Sequence, residues 1–429
     1  MLRVIDLRAG SSDPRQQLPR APSEVVSEAR RSVQSIVEAV RAEGDAAVLR
    51  YSAQFDGWTG GDLEVTQAEI DEAVRAIDPA LLAALERAAE QIRWFHERAR
   101  SADWREERAG AVLGVRFRPL RRVGVYVPGG LGAYPSTLLM TVLPARVAGV
   151  GEIILCTPPG HLSPVILAAA AVAGGADRIL RIGGAQAIAA MAYGTAAVPR
   201  CDKIVGPGNQ YVALAKQAVA AEGACGIDGL AGPTEVAIIA DDTADPRLVA
   251  ADLVAQAEHD ALAGCLLITP SSDLAERVQV ALKEEVEETL HADRVRAAFD
   301  GQGAIALVAD LAQAVEVADA YAAEHLEVQT ADAVAVAEQV RSAGAIFVGP
   351  NSPVALGDYC AGPNHTLPTS GTARFTGGLR TDDFVVPVNW VEYQRDALAA
   401  LAPVVDALAE AENLPAHSRA VRARLEDRP

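Results

Sequence analysis

Hydrophobic residues recur at helical spacing over the first part of the chain. Between residues 23 and 100 they fall three and four positions apart, as on one face of a helix; the first set is Val26, Ala29, Val33, Ile36, Val37 and Val40. Ser23 is a suitable N-cap for this helix, and Asp78-Pro79 opens another. The pattern therefore predicts a helical N-terminal region.

From Val123 onward, short apolar segments alternate with alanine-rich helical segments. The first series predicts strands at residues 123–127, 152–156, 178–182 and 203–205. A second series follows the loop of residues 228–233 and predicts strands at residues 235–240, 265–269, 304–308, 326–329 and 345–348. Strands that are apolar throughout and separated by helices are typical of parallel sheets covered on both faces. Two doubly wound parallel-sheet units are therefore predicted.

The periodicity lapses after about residue 350. A stretch rich in Gly, Pro and Thr runs through Gly378, and a closing helix is predicted from Val404. An irregular stretch of this length in a compact protein is usually functional. We therefore expect functional residues within it.

Composition narrows the class of protein. Half of the residues are hydrophobic and 22% are charged, as in a folded soluble protein, and the formal charge of −19 argues against nucleic acid or an anionic membrane as a partner. The longest apolar run, residues 165–173, is about half a membrane span, and the N-terminus lacks the apolar stretch of a signal peptide. Five scattered cysteines without a CxxC pair favour reduced thiols. A cytoplasmic protein is predicted.

Glycine-rich loops occupy three strand-to-helix junctions of the first series: Pro128-Gly-Gly-Leu-Gly, Gly183-Gly-Ala-Gln186 and Gly206-Pro-Gly-Asn209. In a doubly wound sheet, ligands bind outside the carboxyl ends of the strands, where helix N-termini and close backbone approach favour a phosphate group. None of the loops is a GxGxxG fingerprint, and a tight turn explains each one alone. The occurrence of three such loops in one unit is explained equally well by a nucleotide-binding site and by tight turns.

Gln256 and His259 lie three residues apart, which places both on one face of a predicted helix. A polar helix face explains such a pair when it stands alone. Asp358 and His417 add an oxygen and a nitrogen donor further along the chain, although the first also suits a turn and the second a surface position near a helix start. An amide oxygen, a carboxylate and two imidazoles suit zinc or a similar divalent metal.

Glu324 and His325 are adjacent at a junction between a predicted helix, residues 311–323, and a predicted strand. Two neighbouring titratable groups suit alternate proton transfers. A helix C-terminus at which the macrodipole stabilises the histidine explains the pair equally well. His365 is close to Asp358 in the sequence, and it is a candidate to contact a site residue without contacting the ligand itself.

Together these strings resemble the histidinol dehydrogenase family, from residue 33 to residue 424. The motifs that carry the resemblance are Val-Tyr126-Val-Pro-Gly-Gly, Gly-Gly-Ala-Gln186-Ala-Ile-Ala, Asp-Lys-Ile-Val-Gly-Pro-Gly-Asn209, Ala-Gly-Pro-Thr234-Glu-Val, Gln256-Ala-Glu-His259-Asp, Ala-Glu324-His325-Leu-Glu, Gly-Asp358-Tyr and Pro-Asn-His365-Thr-Leu-Pro-Thr. Many long strings in one order make a chance resemblance very improbable.

The resemblance implies a zinc-dependent enzyme that oxidises L-histidinol through L-histidinal to L-histidine and reduces two NAD, as the last steps of histidine biosynthesis. It implies one zinc ion per subunit, bound by Gln256, His259, Asp358 and His417, which also contact the substrate. The other implied roles are proton transfer by Glu324 and His325, with His325 also binding substrate, NAD binding by Tyr126, Gln186 and Asn209, and substrate binding by Thr234 and Glu412.

The family's architecture implies two Rossmann-like domains, small terminal extensions and a homodimer with exchanged tails. Glu412 and His417 would then reach into the partner subunit's site. The expected division is an N-terminal extension (1–22), a domain with the metal and acid–base residues (23–125 and 234–380), an inserted NAD-binding domain (126–233) and a C-terminal extension (381–429).

Three alternatives remain open. A related zinc and NAD dehydrogenase could oxidise another small alcohol or a diol, although the carboxylate of Glu412 suits the amine or imidazolium of histidinol. A metal-dependent hydrolase could use Glu324 to activate water, but it leaves the glycine-rich junctions unexplained. A non-enzymatic nucleotide-binding module leaves Glu324 and His325 without a purpose.

Overall fold

The computed structural model describes residues 1–10, 13–20, 27–129, 132–229 and 232–426. Three of the sequence predictions lie partly outside these ranges: the N-cap Ser23 with the first helical position Val26, the centre of the loop that begins at Pro128, and the middle of the segment 228–233. Within the described residues, no helix combines the length and apolar character that a membrane span requires.

The strands in chain order are β1 (Arg3–Asp6), β2 (Trp104–Arg108), β3 (Ala111–Pro119), β4 (Arg122–Tyr126), β5 (Glu152–Thr157), β6 (Arg178–Arg181), β7 (Lys203–Val205), β8 (Gly226–Ile227), β9 (Glu235–Ala240), β10 (Gly264–Thr269), β11 (Gly303–Leu307), β12 (His325–Gln329), β13 (Ala345–Val348) and β14 (Val385–Tyr393). All nine predicted strands are confirmed to within one residue at each end.

The helices are α1 (Pro14–Gln17), α2 (Ser27–Glu43), α3 (Asp45–Asp56), α4 (Gln67–Ala76), α5 (Pro79–Arg98), α6 (Pro135–Ala148), α7 (Pro164–Val172), α8 (Gly184–Tyr193), α9 (Gln210–Ala221), α10 (Pro246–Ala257), α11 (Ser272–Glu288), α12 (Ala292–Gln302), α13 (Leu311–Tyr321), α14 (Ala333–Ala337), α15 (Val354–Tyr359), α16 (Arg395–Ala411) and α17 (Pro415–Leu425). Short 3₁₀ turns lie at Pro159–His161, Thr372–Arg374 and Thr381–Phe384.

Two parallel sheets form the mixed α/β core. A five-stranded sheet has the order β6-β5-β4-β7-β8, and a six-stranded sheet has the order β1-β11-β10-β9-β12-β13. From β4 and from β9 onward the two sheets follow the same winding, with the first strand in the middle and the order reversing beside it. A separate hydrophobic cluster covers each face of each sheet. The prediction of parallel sheets with both faces covered is confirmed.

The N-terminal helices pack on the five-stranded sheet. Helices α2 and α3 lie against α8 and α9, and helices α4 and α5 lie against α6 and α7. This packing differs from our expectation that residues 23–125 join the unit of the second series. The buried face of an amphipathic helix shows in its sequence, but the surface that covers this face does not.

Elements at the two termini extend the sheets. β1, which the sequence did not predict because only its Val4 and Ile5 are apolar at the centre, adds an edge strand beside β11. β14 pairs antiparallel with β3, and β2 completes a small three-stranded sheet. The closing helix begins at Arg395, earlier than predicted, and α17 follows it and packs against α16.

A buried ion pair holds the loop after β7. Lys216 on α9 pairs with Asp228, and both side chains are less than a tenth exposed. The Lys216 ammonium donates to the Gly206 carbonyl (3.0 Å), while the Asp228 carboxylate accepts from the Gly206 N–H (2.7 Å). The pair therefore ties the β7–α9 loop to the segment that leads into β9.

Replacing Lys216 with Met should strongly destabilise the protein. The change leaves the Asp228 carboxylate buried without its counter-charge, so we expect a loss of about 3–5 kcal/mol in the free energy of unfolding. Urea denaturation of the purified variant measures this loss. The matched control is Lys283→Met at an exposed position of α11, and equal stabilities of the two variants would contradict the assigned role.

Candidate active site

The carboxyl–imidazole pair Glu324 and His325 lies at the amino edge of the six-stranded sheet. His325 begins β12 and is paired with Val236 of the neighbouring parallel strand β9. The segment Thr234-Glu235 at the start of β9 therefore lies beside the pair. This position is opposite to the carboxyl edge at which ligands usually bind in open parallel sheets.

Hydrogen bonds from the start of β9 hold the Glu324 carboxylate. The Thr234 hydroxyl donates to Oε2 of Glu324 over 2.5 Å, and the Glu235 backbone N–H donates to the same oxygen over 3.0 Å. Burial raises the pKa of Glu324 to about 7, although these hydrogen bonds lower it in part. A carboxyl pKa raised toward neutrality suits a group that transfers protons at physiological pH.

The His325 imidazole is held in one orientation. Its Nδ1 lies 3.2 Å from the Glu235 carbonyl oxygen, which can only accept a proton, so Nδ1 carries the hydrogen and Nε2 the lone pair. Burial lowers the pKa of His325 below its usual value, while the Asp358 carboxylate opposes this shift. The ring is therefore neutral at pH 7, and its Nε2 faces Oδ1 of Asp358 at 3.8 Å.

Three of the four predicted metal donors gather beside this pair. Gln256 donates from its Nε2 to the Thr234 hydroxyl oxygen (2.6 Å), and Nε2 of His259 lies 3.7 Å from Oδ2 of Asp358. Helix α10 ends at Ala257, so His259 lies just past the helix and not inside it as predicted; a turn with a His259 N–H to Gln256 carbonyl bond (3.4 Å) preserves the spacing.

An unpaired buried oxygen marks the donor set. Oε1 of Gln256 is buried and has no hydrogen-bond partner among the described residues, although a buried polar atom is normally satisfied. A divalent cation would satisfy it, and the neighbouring imidazole and carboxylate are suitable further ligands. No three His, Cys, Asp or Glu side chains converge as a metal cluster within the described residues. One chain thus supplies a partial set: Gln256, His259 and Asp358.

Asp358 belongs to a short helix and not to a turn. Helix α15 lies within the stretch that the sequence predicted to be irregular. Gly357 is required because the Phe347 ring lies 2.5 Å from where a Cβ would be. His365 lies behind the helix, with its Nδ1 2.8 Å from the Asp358 carbonyl oxygen and its Nε2 3.4 Å from the Thr137 hydroxyl on α6. His365 therefore links Asp358 to the unit of the five-stranded sheet.

Glu412 and His417 lie on the C-terminal helices. Glu412 caps the end of α16, and His417 is in the first turn of α17. Both residues are exposed, and among the described residues no hydrogen bond or ion pair joins either of them to Glu324, His325 or the three donors. Their predicted roles stay predictions that need a second chain.

A buried acidic pair, which the sequence analysis missed, braces the donor helices. The carboxyl groups of Asp252 on α10 and Glu327 on β12 hydrogen-bond each other. Gln329 donates to both (2.8 and 2.9 Å), and Glu327 accepts the N–H of Val354 at the start of α15 (3.0 Å). The pair joins the helices that carry Gln256 and Asp358. Its signal in the sequence was the alternation of polar residues 325, 327 and 329 along an otherwise apolar strand.

A cleft lies at the carboxyl edge of the five-stranded sheet. It has a volume of about 650 Å³, and all three residues predicted to bind NAD line it: Tyr126, Gln186 and Asn209. The Tyr126 hydroxyl accepts the N–H of Gly184 (2.9 Å), and the Asn209 side chain caps α9 by accepting from Tyr211 and Val212.

Two glycines at the strand-to-helix junctions are closely surrounded by other parts of the chain. A Cβ on Gly206, whose φ is +111°, would lie 2.1 Å from the Tyr126 carbonyl oxygen, so only glycine is accommodated there. A Cβ on Gly129 would likewise lie 2.2 Å from the His161 ring. Small residues are therefore needed at these two junctions for packing within the chain, and the inferred close approach to a bound phosphate stays a prediction.

Two parallel α/β units, with a buried carboxyl–imidazole pair on one and a cleft of about 650 Å³ on the other, suit an α/β oxidoreductase. The family profile described as "Histidinol dehydrogenase" matches residues 20–425. The chain belongs to the histidinol dehydrogenase family, and it is therefore an enzyme of histidine biosynthesis.

Individual relatives agree over nearly full length. The chain is 47% identical to a histidinol dehydrogenase of Nocardia farcinica, covering 99% of this chain and 98% of the relative, and 48% identical to one of Haloarcula marismortui, covering 94% of each. The crystal structure of histidinol dehydrogenase from Elizabethkingia anophelis superimposes with a TM-score of 0.94 at 32% identity, over 99% of this chain and 98% of the other.

Replacing Glu327 with Gln should change how stability depends on pH. Burial, and then the neighbouring Asp252, raise the pKa of Glu327, so the folded state holds a proton that the unfolded state releases. This stabilisation is fully present below the unfolded pKa and is lost as pH rises through the folded pKa. Between pH 5 and pH 9 the free energy of unfolding of the wild type should therefore fall relative to that of Glu327→Gln. The relative change should exceed ~1.4 kcal/mol, which corresponds to a shift of one pKa unit.

Thermal or urea unfolding at several pH values measures the difference. The control Glu338→Gln removes the same charge from an exposed position and should parallel the wild type. A constant offset between Glu327→Gln and the wild type across the range would show that the pair holds no extra proton.

Proposed function

We propose that this enzyme oxidises L-histidinol through L-histidinal to L-histidine, with zinc and with two NAD used in succession. The observation that carries the proposal is the buried His325 next to Glu324, with its Nδ1 at the Glu235 carbonyl and its Nε2 facing Asp358 of the donor set. Such a pair can serve two different proton transfers in one site. Family membership supports the choice of substrate.

The cleft of the five-stranded unit is the proposed NAD site. We assign cofactor binding to Tyr126, Gln186 and Asn209, and regard both parallel-sheet units as Rossmann-like. Gly129, Gly160 and Gly184 line the cleft, and glycines allow the backbone to approach a dinucleotide closely. Bound NAD would supply the acceptor for the hydride that leaves the substrate carbon in each oxidation.

Gln256, His259 and Asp358 fit a zinc ion, and His417 of the partner subunit is the proposed fourth ligand. The buried unpaired oxygen of Gln256 and the imidazole–carboxylate contact at 3.7 Å support this set. The metal would supply a template that fixes the imidazole and amine of the substrate. One zinc ion per subunit follows from one donor set per chain.

In the first oxidation, His325 removes the alcohol proton. Its Nε2 accepts the proton while its Nδ1–H remains bonded to the Glu235 carbonyl, so the ring does not rotate. The alcohol loses a hydride and a proton and becomes the aldehyde. Thr234 is the proposed substrate contact at this point, because its hydroxyl already bridges Glu324 and Gln256.

In the second oxidation, Glu324 removes a proton from water. The resulting hydroxide adds to the aldehyde carbon and forms the anion of the hydrate, which loses the second hydride and becomes the carboxylic acid, while the proton taken from water stays on Glu324. A carboxyl group with a pKa near 7 can accept this proton at neutral pH and release it afterwards.

The C-terminal extension is the proposed dimer contact. Helix α16 buries only Ala402 and Ala409, while Val404 and Leu408 are about half exposed, at 52% and 58%. Exposed apolar side chains along one helix are typical of a covered interface. We infer a homodimer in which Glu412 and His417 enter the partner's site, where Glu412 binds the substrate. A cytoplasmic location and the terminal extensions 1–22 and 381–429 complete the proposal, with the helices of residues 27–98 assigned to the NAD-binding unit on which they pack.

Purified enzyme with zinc and NAD should form two NADH for each L-histidinol consumed. The expected ratio follows because the neutral His325 serves the alcohol step and Glu324 the aldehyde step. Absorbance at 340 nm, with L-histidinol limiting, gives the ratio. Parallel assays with small diols test the rival dehydrogenase. A ratio of one, or preference for a diol, would contradict the proposed reaction, and no NADH at all would exclude it.

A further inference from the structure

An acidic residue from outside the sheet enters the NAD cleft. Asp56 is the last residue of α3, and it lines the cleft with Phe55, Ser32 and Ile36 of the N-terminal helices. We propose that the Asp56 carboxylate accepts hydrogen bonds from the hydroxyl groups of the adenosine ribose and thereby makes the enzyme specific for NAD over NADP. The proposal rests on the cleft being the NAD site, and it assigns that site's specificity.

Asp56 lies beside the carboxyl end of the second strand of the five-stranded unit. In dinucleotide-binding folds, a carboxylate at the end of the second strand receives the ribose hydroxyls. Here the second strand of the winding is β5, and it ends at Thr157 followed by Pro158 and Pro159, which offer no carboxylate. A Cβ built on Gly183 would lie 2.9 Å from Pro158 and 3.0 Å from Oδ1 of Asp56. Asp56 thus stands beside the end of β5, where that carboxylate is needed.

The placement is unfavourable for the helix that carries it. A carboxylate at the C-terminus of α3 opposes the helix macrodipole. Partial burial further raises the pKa of Asp56, while a hydrogen bond from the Gly183 N–H lowers it. Nε2 of Gln186 lies 3.3 Å from Oδ2 of Asp56 and donates to it. Asp56 is therefore oriented by the first turn of α8, on the cleft side, and not by its own helix.

The charges that line the cleft favour NAD. Among the described lining residues, Asp56 is the acidic group and His161 the histidine, and there is no arginine or lysine. A 2′-phosphate adds a charge of about −1.5 to −2. Enzymes that use NADP place an arginine near this phosphate. A carboxylate in its place repels the phosphate and accepts hydrogen bonds from the free 2′- and 3′-hydroxyls.

The decisive experiment compares Asp56→Asn with the wild type. Fluorescence titration of the zinc-loaded, substrate-free proteins gives the dissociation constants of NADH and NADPH, and kcat/KM with L-histidinol gives the same comparison in turnover. Loss of the charged acceptor should raise the dissociation constant of NADH about tenfold, since a hydrogen bond to a charged group contributes about 1.5–3 kcal/mol. The dissociation constant of NADPH should fall. The ratio of the NADPH to the NADH dissociation constant should therefore fall by more than tenfold, where each factor of ten corresponds to ~1.4 kcal/mol.

The chain provides a matched control on the same helix. Asp45, the first residue of α3, also accepts a backbone N–H, from Ala197 (3.0 Å), but it lies outside the cleft. Asp45→Asn should leave the preference unchanged. If Asp56→Asn does not fold, Asp56→Ser removes the same charge and is measured instead.

The outcomes separate the two proposals. Equal weakening of NADH and NADPH, or an unchanged preference, would overturn the role of Asp56 because it would leave only a structural contribution. Failure of the wild type to bind either nucleotide would instead overturn the NAD site itself. A lower preference with an unchanged KM for L-histidinol supports the inference.

Discussion

The hydrogen bonds between the start of β9 and Glu324 are the constraint on which the site depends. A carboxyl group and an imidazole are buried side by side, and the pair would be costly without compensating donors. Thr234 and Glu235 supply those donors, and the Glu235 carbonyl fixes the His325 tautomer. The register of β9 against β12 therefore determines where both proton-transfer groups lie.

The same register organises the donor set. Thr234 bridges Glu324 and Gln256, so the strand that orients the acid–base pair also orients the end of α10. Behind them, the Asp252–Glu327 pair joins α10 to α15. The site is thus held by buried contacts among one helix end, one short helix and two strand starts, which is the rigid support that precise catalytic geometry requires.

Sequence patterns predicted some parts of the structure well and others not at all, for physical reasons. Strands of continuous apolar residues were located to within one residue because both of their faces are buried. β14 and β3 were missed because their mixed, partly exposed residues give no such run. The helices of residues 27–98 were predicted, but the sheet on which they pack was not. An amphipathic pattern shows which face of a helix is buried but not which surface it packs against. Asp56 was missed for the same reason.

The residues of the site were found by their types and spacing, whereas their assembly depends on tertiary contacts. Gln256 and His259 remain neighbours although the helix ends between them. His417 is different, because it is exposed in the first turn of the terminal helix α17. A single chain contains the proton-transfer pair and three donors, and the account requires a second chain to complete each site.

Complementation between two inactive variants tests this requirement most directly. Chains with His325→Asn and chains with His417→Ala should each form inactive dimers. In a mixed dimer, one site would carry both defects and the other neither, so equal mixing with subunit exchange should restore about a quarter of wild-type activity. Mixed dimers that form, as shown by differently tagged chains, and yet remain inactive would contradict a site shared between subunits.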